Sequence, residues 1–223
     1  LRTEGRVFEI ISGKEQINMI RNLMKRKRLD LSVGTILSEI SLAKNNLIGV
    51  EEFRALYESD KTMIKVANIY ESYEKEKAKK YLLDFDDLLL ETYFLLSNND
   101  AVREKYAGRY HHILIDEFQD TNPVQLEIIK LIVDTDNDND KSYWIAGDDW
   151  QSIYSFAGAS VNNILNFQST FSSSKLFILN INYRSTPQIL KACQNLISHN
   201  VRKIEKTLKT DNPEGDEVIV LES

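Results

Sequence analysis

Three short, unbroken apolar runs in the second half of the chain restrict the fold more than any other feature. They are Ile113-Leu114-Ile115, Tyr143-Trp144-Ile145-Ala146 and Leu176-Phe177-Ile178-Leu179. Polar residues follow each run. After the first, Val124, Ile128, Ile129 and Leu131 recur at helical spacing; after the third, Ile189, Leu190 and Ala192 do the same. Short continuous apolar strands alternating with helices predict a parallel sheet covered on both faces. Asn122-Pro123 and Thr186-Pro187 each set a capping side chain before a proline. That suits a helix start, because the first turn does not need the N–H that proline lacks.

Residues 1 to about 100 follow a different pattern. Ile17, Ile20, Leu23 and Met24 repeat at helical intervals, as do Ile36, Leu37, Ile40 and Leu42. A long helical stretch runs from about Met63 to Leu96, with Ile64, Ala67, Tyr70 and Tyr73 at three- and four-residue steps. It breaks near Asp84, which can cap a new helix beginning Phe85-Asp86-Asp87. This part holds no catalytic constellation and no internal repeat, so a helical bundle or insertion is expected.

Composition narrows the functional classes. The net charge of −6 argues against nucleic-acid binding through overall positive potential, but not against a local basic groove. Two basic clusters exist, Lys25 to Arg28 and Lys75 to Lys80. Such runs are usually solvated helix faces. No stretch reaches the roughly 20 apolar residues of a membrane helix, and Leu1 to Gly5 carries no apolar signal core, so a cytoplasmic protein without membrane contact is expected. The one cysteine, Cys193, fits a reducing interior and is expected as a small buried residue. The acidic stretch Asp134 to Asp140 lacks the glycine and the twelfth-place glutamate of a calcium loop.

Chemistry is expected where the strands end, since ligands of open parallel sheets bind beyond the carboxyl ends of the strands. Those ends carry Asp116-Glu117, Asp148-Asp149-Trp150-Gln151 and Tyr183-Arg184. Adjacent carboxylates after a buried strand need a charge to offset them, and magnesium supplies one. Asp116 could hold the ion, and Glu117 could accept a proton from an attacking water; a solvent-facing acidic turn explains the pair equally well. Gln151 could orient that water or read a terminal phosphate. Arg184 offers a planar fork of donors for phosphate oxygens, and Tyr183 could stack on a base. Tyr154 and Phe156 suit either base stacking or core packing. Together these groups describe a nucleoside triphosphate site.

The same residues resemble a known family. Ile115-Asp116-Glu117-Phe118-Gln119-Asp120-Thr121-Asn122 is similar to the Walker B motif of superfamily 1 helicases of the UvrD, PcrA and Rep group. The stretch from Gly147 to Ala159 is similar to their next motif, which couples ATP to single-stranded DNA. Asn182-Tyr183-Arg184-Ser185 is similar to the motif that opens their second RecA-like domain. Leu83 to Leu89 resembles the segment where the chain returns from a helical insertion. The resemblance implies ATP and Mg2+ as ligands and single-stranded and duplex DNA as partners, with 3′ to 5′ movement. It assigns Asp116 and Glu117 to magnesium and the water, Gln151 and Arg184 to the γ-phosphate, Tyr183 to adenine, and Tyr154 and Phe156 to the DNA track.

The departures are specific. Trp150 stands where many members carry an acidic residue, as in the helicase IV branch, and Ala157 stands where they carry arginine. No Gly-x-x-x-x-Gly-Lys-Ser/Thr loop occurs; Ser12-Gly13-Lys14-Glu15 is a decoy with Phe8 at the first glycine place and Glu15 at the hydroxyl place. The expectation is therefore an α/β chain. It would hold a mostly helical inserted subdomain over 1–82, the latter part of a RecA-like P-loop NTPase domain over 83–174, and the start of a second over 175–223. Such a fragment is expected to hydrolyse negligible ATP and to self-associate through an exposed sheet edge. The alternative is a non-catalytic module derived from a helicase that docks on DNA or protein.

Overall fold

The computed structural model describes residues 7–27, 31–133, 141–152, 161–171 and 173–221. It is a mixed α/β arrangement of many helices with short parallel sheets. Among the described residues no helix is long and apolar enough to cross a membrane.

The first part builds one helical core. Strand β1 (Glu9–Ile10) leads into α1 (Gly13–Lys27), then α2 (Val33–Asn45), α3 (Val50–Leu56) and α4 (Lys61–Lys80). The decoy Ser12-Gly13-Lys14-Glu15 is the N-terminus of α1. Ser12 N–H donates to Glu15 Oε2 over 2.7 Å, and Glu15 N–H reaches back toward Ser12 Oγ at 3.4 Å. That is a reciprocal cap, not a phosphate loop. Ile20, Leu23 and Met24 of α1 meet Ile36, Ile40 and Ala43 of α2, Phe53 of α3, and Val66, Ala67, Ile69, Tyr70 and Tyr73 of α4. Each large apolar side chain removed from water in this way contributes roughly 1.5–3 kcal/mol. Ile17 and Leu42, read as part of the apolar stripes, lie at its margin and stay partly exposed.

The expected break falls at Asp84. Helix α4 is capped at its C-terminus by Tyr81, which takes the left-handed conformation with φ 55°. Strand β2 (Leu82–Leu83) then pairs in parallel with β1, and α5 (Phe85–Asn98) begins with Asp84 as its cap. Asp87 N–H donates to Asp84 Oδ1, and Asp84 N–H donates to Asp87 Oδ2, both over 2.8 Å. The expected boundary between residues 82 and 83 falls within β2.

The same two aspartates anchor a buried ion network. Lys44 Nζ of α2 lies 2.7 Å from both Asp84 Oδ2 and Asp87 Oδ1, and 2.9 Å from Glu74. Lys77 Nζ of α4 pairs with Glu74, Asp84 and Asp87 as well. Tyr73 donates its hydroxyl to Asp84 Oδ2 over 2.9 Å. Lys77 was expected on a solvated basic face, yet it is only 2 % exposed. Three carboxylates converging from α4 and α5 draw its ammonium inward and offset the cost of removing that charge from water.

The second part carries the larger sheet. Helix α6 (Asp100–Ala107) precedes β3 (His112–Ile115); α7 (Pro123–Val133) follows, and then β4 (Ser142–Ile145). The two strands pair in parallel with Ile113 opposite Tyr143 and Leu114 opposite Trp144. Short helices α8 (Val161–Leu165) and α9 (Phe167–Thr170) come next, and Phe167 and Phe171 pack edgewise or tilted on Tyr143. The expectation that both faces are covered is corrected: Leu114 is 74 % and Trp144 56 % exposed. With a period of two, they share the opposite face from Tyr143, and that face is largely open among the described residues.

The third apolar run also departs from expectation. Leu176 to Leu179 forms no strand, and all four residues are exposed. A parallel strand needs a neighbour to receive its ladder, and the nearest pairing is a single bridge between Ile181 and Lys209. Helix α10 (Pro187–Ser198) then starts at Thr186-Pro187 as expected, but the Thr186 hydroxyl makes no capping bond and is buried without a partner. Cys193, expected inside, is exposed. Leu190 is the buried residue of α10, and Cys193, one turn further along, is not covered.

Candidate active site

The end of β3 is shaped by its own polar residues. Asp116 Oδ1 accepts the Glu117 N–H over 2.9 Å, and Glu117 takes the left-handed conformation with φ 51°. A 3₁₀ turn, Phe118–Asp120, follows. Its first N–H, from Phe118, donates to Ala146 O at the end of β4 over 3.0 Å. The chain then enters α7 through a reciprocal cap, in which Gln125 N–H donates to Asn122 Oδ1 and Asn122 N–H to Gln125 Oε1.

Asp116 and Glu117 are both exposed on the rim of an open cleft of about 410 Å³. Asp120, Thr121, Gln125 and Ile128 line it too. Asp120 Oδ1 is buried there without a hydrogen-bond partner.

The end of β4 is tied to that rim by one amide. Gln119 Nε2 donates to Glu117 Oε2 over 2.7 Å, and Gln119 Oε1 accepts the Asp148 N–H over 3.0 Å. Asp148 Oδ2 accepts in turn from Gln151 Nε2 over 2.8 Å. Glu117 and Gln151, read separately from the sequence, thus belong to one bonded network. The approach is close enough that a Cβ at 147 would force its neighbours to shift. A Cβ there would sit 2.7 Å from Gln119 Oε1 and 2.9 Å from Ile164 Cδ1.

The third segment joins through different residues from those expected. Lys206 Nζ pairs with Asp148 Oδ1 at 2.5 Å and Asp149 Oδ1 at 2.7 Å, and lies 4.8 Å from the centre of the Trp150 ring. Ile204 N–H donates to Asp149 Oδ2 over 2.7 Å. Burial pushes the Asp148 carboxyl up, but the hydrogen bonds from Lys206 and Gln151 outweigh it and hold the group below its ordinary range. Trp150, the departure noted in the sequence, gives Lys206 an aromatic face.

Tyr183 and Arg184 are presented by a turn. Asn182 Oδ1 accepts the N–H groups of Arg184 and Ser185 over 2.9 and 2.7 Å. Both side chains are exposed, and among the described residues neither bonds to the carboxylates at 116 and 117 or to Gln151. Tyr154, Phe156 and Ala157 lie outside the described residues, as does the acidic stretch 134–140. Gln119, Asp148, Lys206 and Gly147 were given no role from the sequence. The one available signal for Gln119 was an amide inside a polar run directly after a strand.

The sequence model of the UvrD/REP helicase N-terminal domain matches residues 3–172. The chain is 34% identical over 214 residues to a protein named ATP-dependent DNA helicase PcrA from Bacillus subtilis, covering 95% of this chain and 28% of that one. It is 35% identical to a probable DNA helicase II homolog of Mycoplasma capricolum, covering 96% and 30%. It is 32% identical to a protein named ATP-dependent DNA helicase Rep from Buchnera aphidicola, covering 96% and 33%. The chain thus spans about three tenths of the length of these relatives.

Proposed function

The chain belongs to the UvrD/REP helicase N-terminal domain family, and on that premise we propose that it forms the magnesium- and γ-phosphate-facing part of an ATP-driven DNA helicase motor. The parent protein would move 3′ to 5′ on one DNA strand and separate duplexes. Relatives named ATP-dependent DNA helicases support this reading.

The observation that carries it is the connection of Glu117 to Gln151 through Gln119 and Asp148, at the ends of two parallel strands. A carboxylate able to take a proton from water and an amide able to sense a terminal phosphate are held there as one unit. Asp116 and Glu117 would hold Mg2+. Asp116, Glu117 and Asp120 bring carboxylate oxygens to this cleft, and such ligands suit a hard cation. When bound, the ion neutralises phosphate charge. Arg184 would contact the γ-phosphate with its fork of donors, and the exposed Tyr183 ring would lie on adenine. Tyr154 and Phe156 would line the path of the single strand.

The lysine and backbone N–H groups of a phosphate-gripping loop are not among the 223 residues. Positioning is most of the catalysis in phosphoryl transfer, so this chain by itself is expected to turn over negligible ATP. The test is steady-state hydrolysis at millimolar MgATP with single-stranded DNA. The parent protein should be active and Glu117→Gln should abolish turnover. A Glu117→Gln parent as active as the unaltered one would overturn the assignment of the site.

A further inference from the structure

We propose that Gln119 is a positioning residue, which fixes the Glu117 carboxylate relative to the strand end that carries Gln151. The inference rests on reading Glu117 as the group that activates water.

Gln119 is 1 % exposed, so its amide must satisfy both ends inside the protein. The orientation of that amide is determined by its neighbours. The Asp148 N–H is a donor only, so the carbonyl oxygen Oε1 has to face it. The NH2 group is thereby turned to Glu117 Oε2, an acceptor at 2.7 Å. A flipped amide would set donor against donor on one side and acceptor against carboxylate on the other.

Glu117 needs such a restraint. Its carboxylate is exposed, and its backbone sits in the left-handed region that a residue with a Cβ visits only when its surroundings hold it. The turn containing Gln119 is itself tied to β4 by the bond from Phe118 N–H to Ala146 O. Gly147 lets the two strand ends approach until the amide spans them. The result is a carboxylate registered against β4 by one buried side chain. A misplacement of about 1 Å in a catalytic group can cost on the order of a hundredfold in rate.

The test uses the full-length parent protein with saturating single-stranded DNA. Gln119→Met keeps the side-chain volume and removes both hydrogen bonds. It should lower kcat about 10- to 100-fold and leave the KM for ATP within about threefold. Gly147→Ala, whose Cβ would press on Gln119 Oε1, should lower kcat in the same sense. A folded Gln119→Met protein with kcat within about twofold of the parent would refute the proposal, as would a loss carried by the KM for ATP with kcat unchanged. Should Gln119→Met fail to fold, an unchanged kcat in Gly147→Ala refutes it instead. If Glu117→Gln abolishes turnover while Gln119→Met is silent, only the positioning role falls. If Glu117→Gln itself stays active, the assignment of the site falls with it.

Discussion

Asn122 donates a buried 2.9 Å hydrogen bond to Asn45, a residue 77 positions away in the sequence. Asn122 caps α7 directly after the carboxylate-bearing turn, and Asn45 is the last residue of α2. Asn45 also reaches Ser41 and Asp86 through its own NH2 group. One bond thus joins the helical core to the entry of the helix behind the site. Asn122→Ala should destabilise the fold by about 1–3 kcal/mol, combining a lost helix cap with an unsatisfied buried amide. Urea denaturation measures this, and a change under about 0.5 kcal/mol would show that the bond contributes little.

Lys77 is the second target. It is 2 % exposed and faces three carboxylates shared with Lys44, so removing it leaves buried negative charge uncompensated. Lys77→Met should cost about 3–5 kcal/mol. Lys80, exposed and paired with Glu76 along the same helix, serves as the control, and Lys80→Ala should change stability by about 0.5 kcal/mol or less. Equal effects at the two positions would contradict the network.

The same network sets a pH window. Burial pushes the Asp84 carboxyl up, but Lys44 and Lys77 pull it further down, well below the carboxylate range. Such a group stabilises the fold above its unfolded value of roughly 3.9 and loses that contribution as pH falls through the folded value. Burial works against the charge of Lys44, yet Glu74, Asp84 and Asp87 more than offset it and raise its pKa. Its contribution is complete below roughly 10.4 and is lost as pH rises through the folded value. Asp86 opposes the acid limb, since burial lifts its carboxyl and favours the fold at low pH. Stability should be flat from about pH 5 to about 9 and fall on both sides. Asp84→Asn should flatten the acid limb; an unaltered limb would exclude Asp84 as its source.

The amino-acid sequence by itself determined what nearest neighbours decide. Apolar spacing placed α1, α2 and α4, because a helix buries whichever stripe its period brings to one side. The runs at 113–115 and 143–146 marked β3 and β4, and Asp84 marked a helix start through contacts only three residues long. The residues Asp116, Glu117 and Gln151 were legible because a strand end followed by polar side chains is a local pattern.

Only the tertiary structure decided the rest. Lys77 looked like surface because its partners Asp84 and Asp87 lie across a helix break. Cys193 and the run at 176–179 looked like interior, but burial needs a covering element, which no residue carries in its own sequence. The link from Glu117 to Gln151 depends on Gln119 meeting a backbone N–H 29 positions away, across a sheet that exists only once β3 and β4 pair. Arg184 and Tyr183 were legible as residue types, yet it is Lys206, farther along the chain, that pairs with the carboxylates after β4. Which side chain spans two segments is a matter of distances in the folded chain, and spacing along the sequence does not contain those distances.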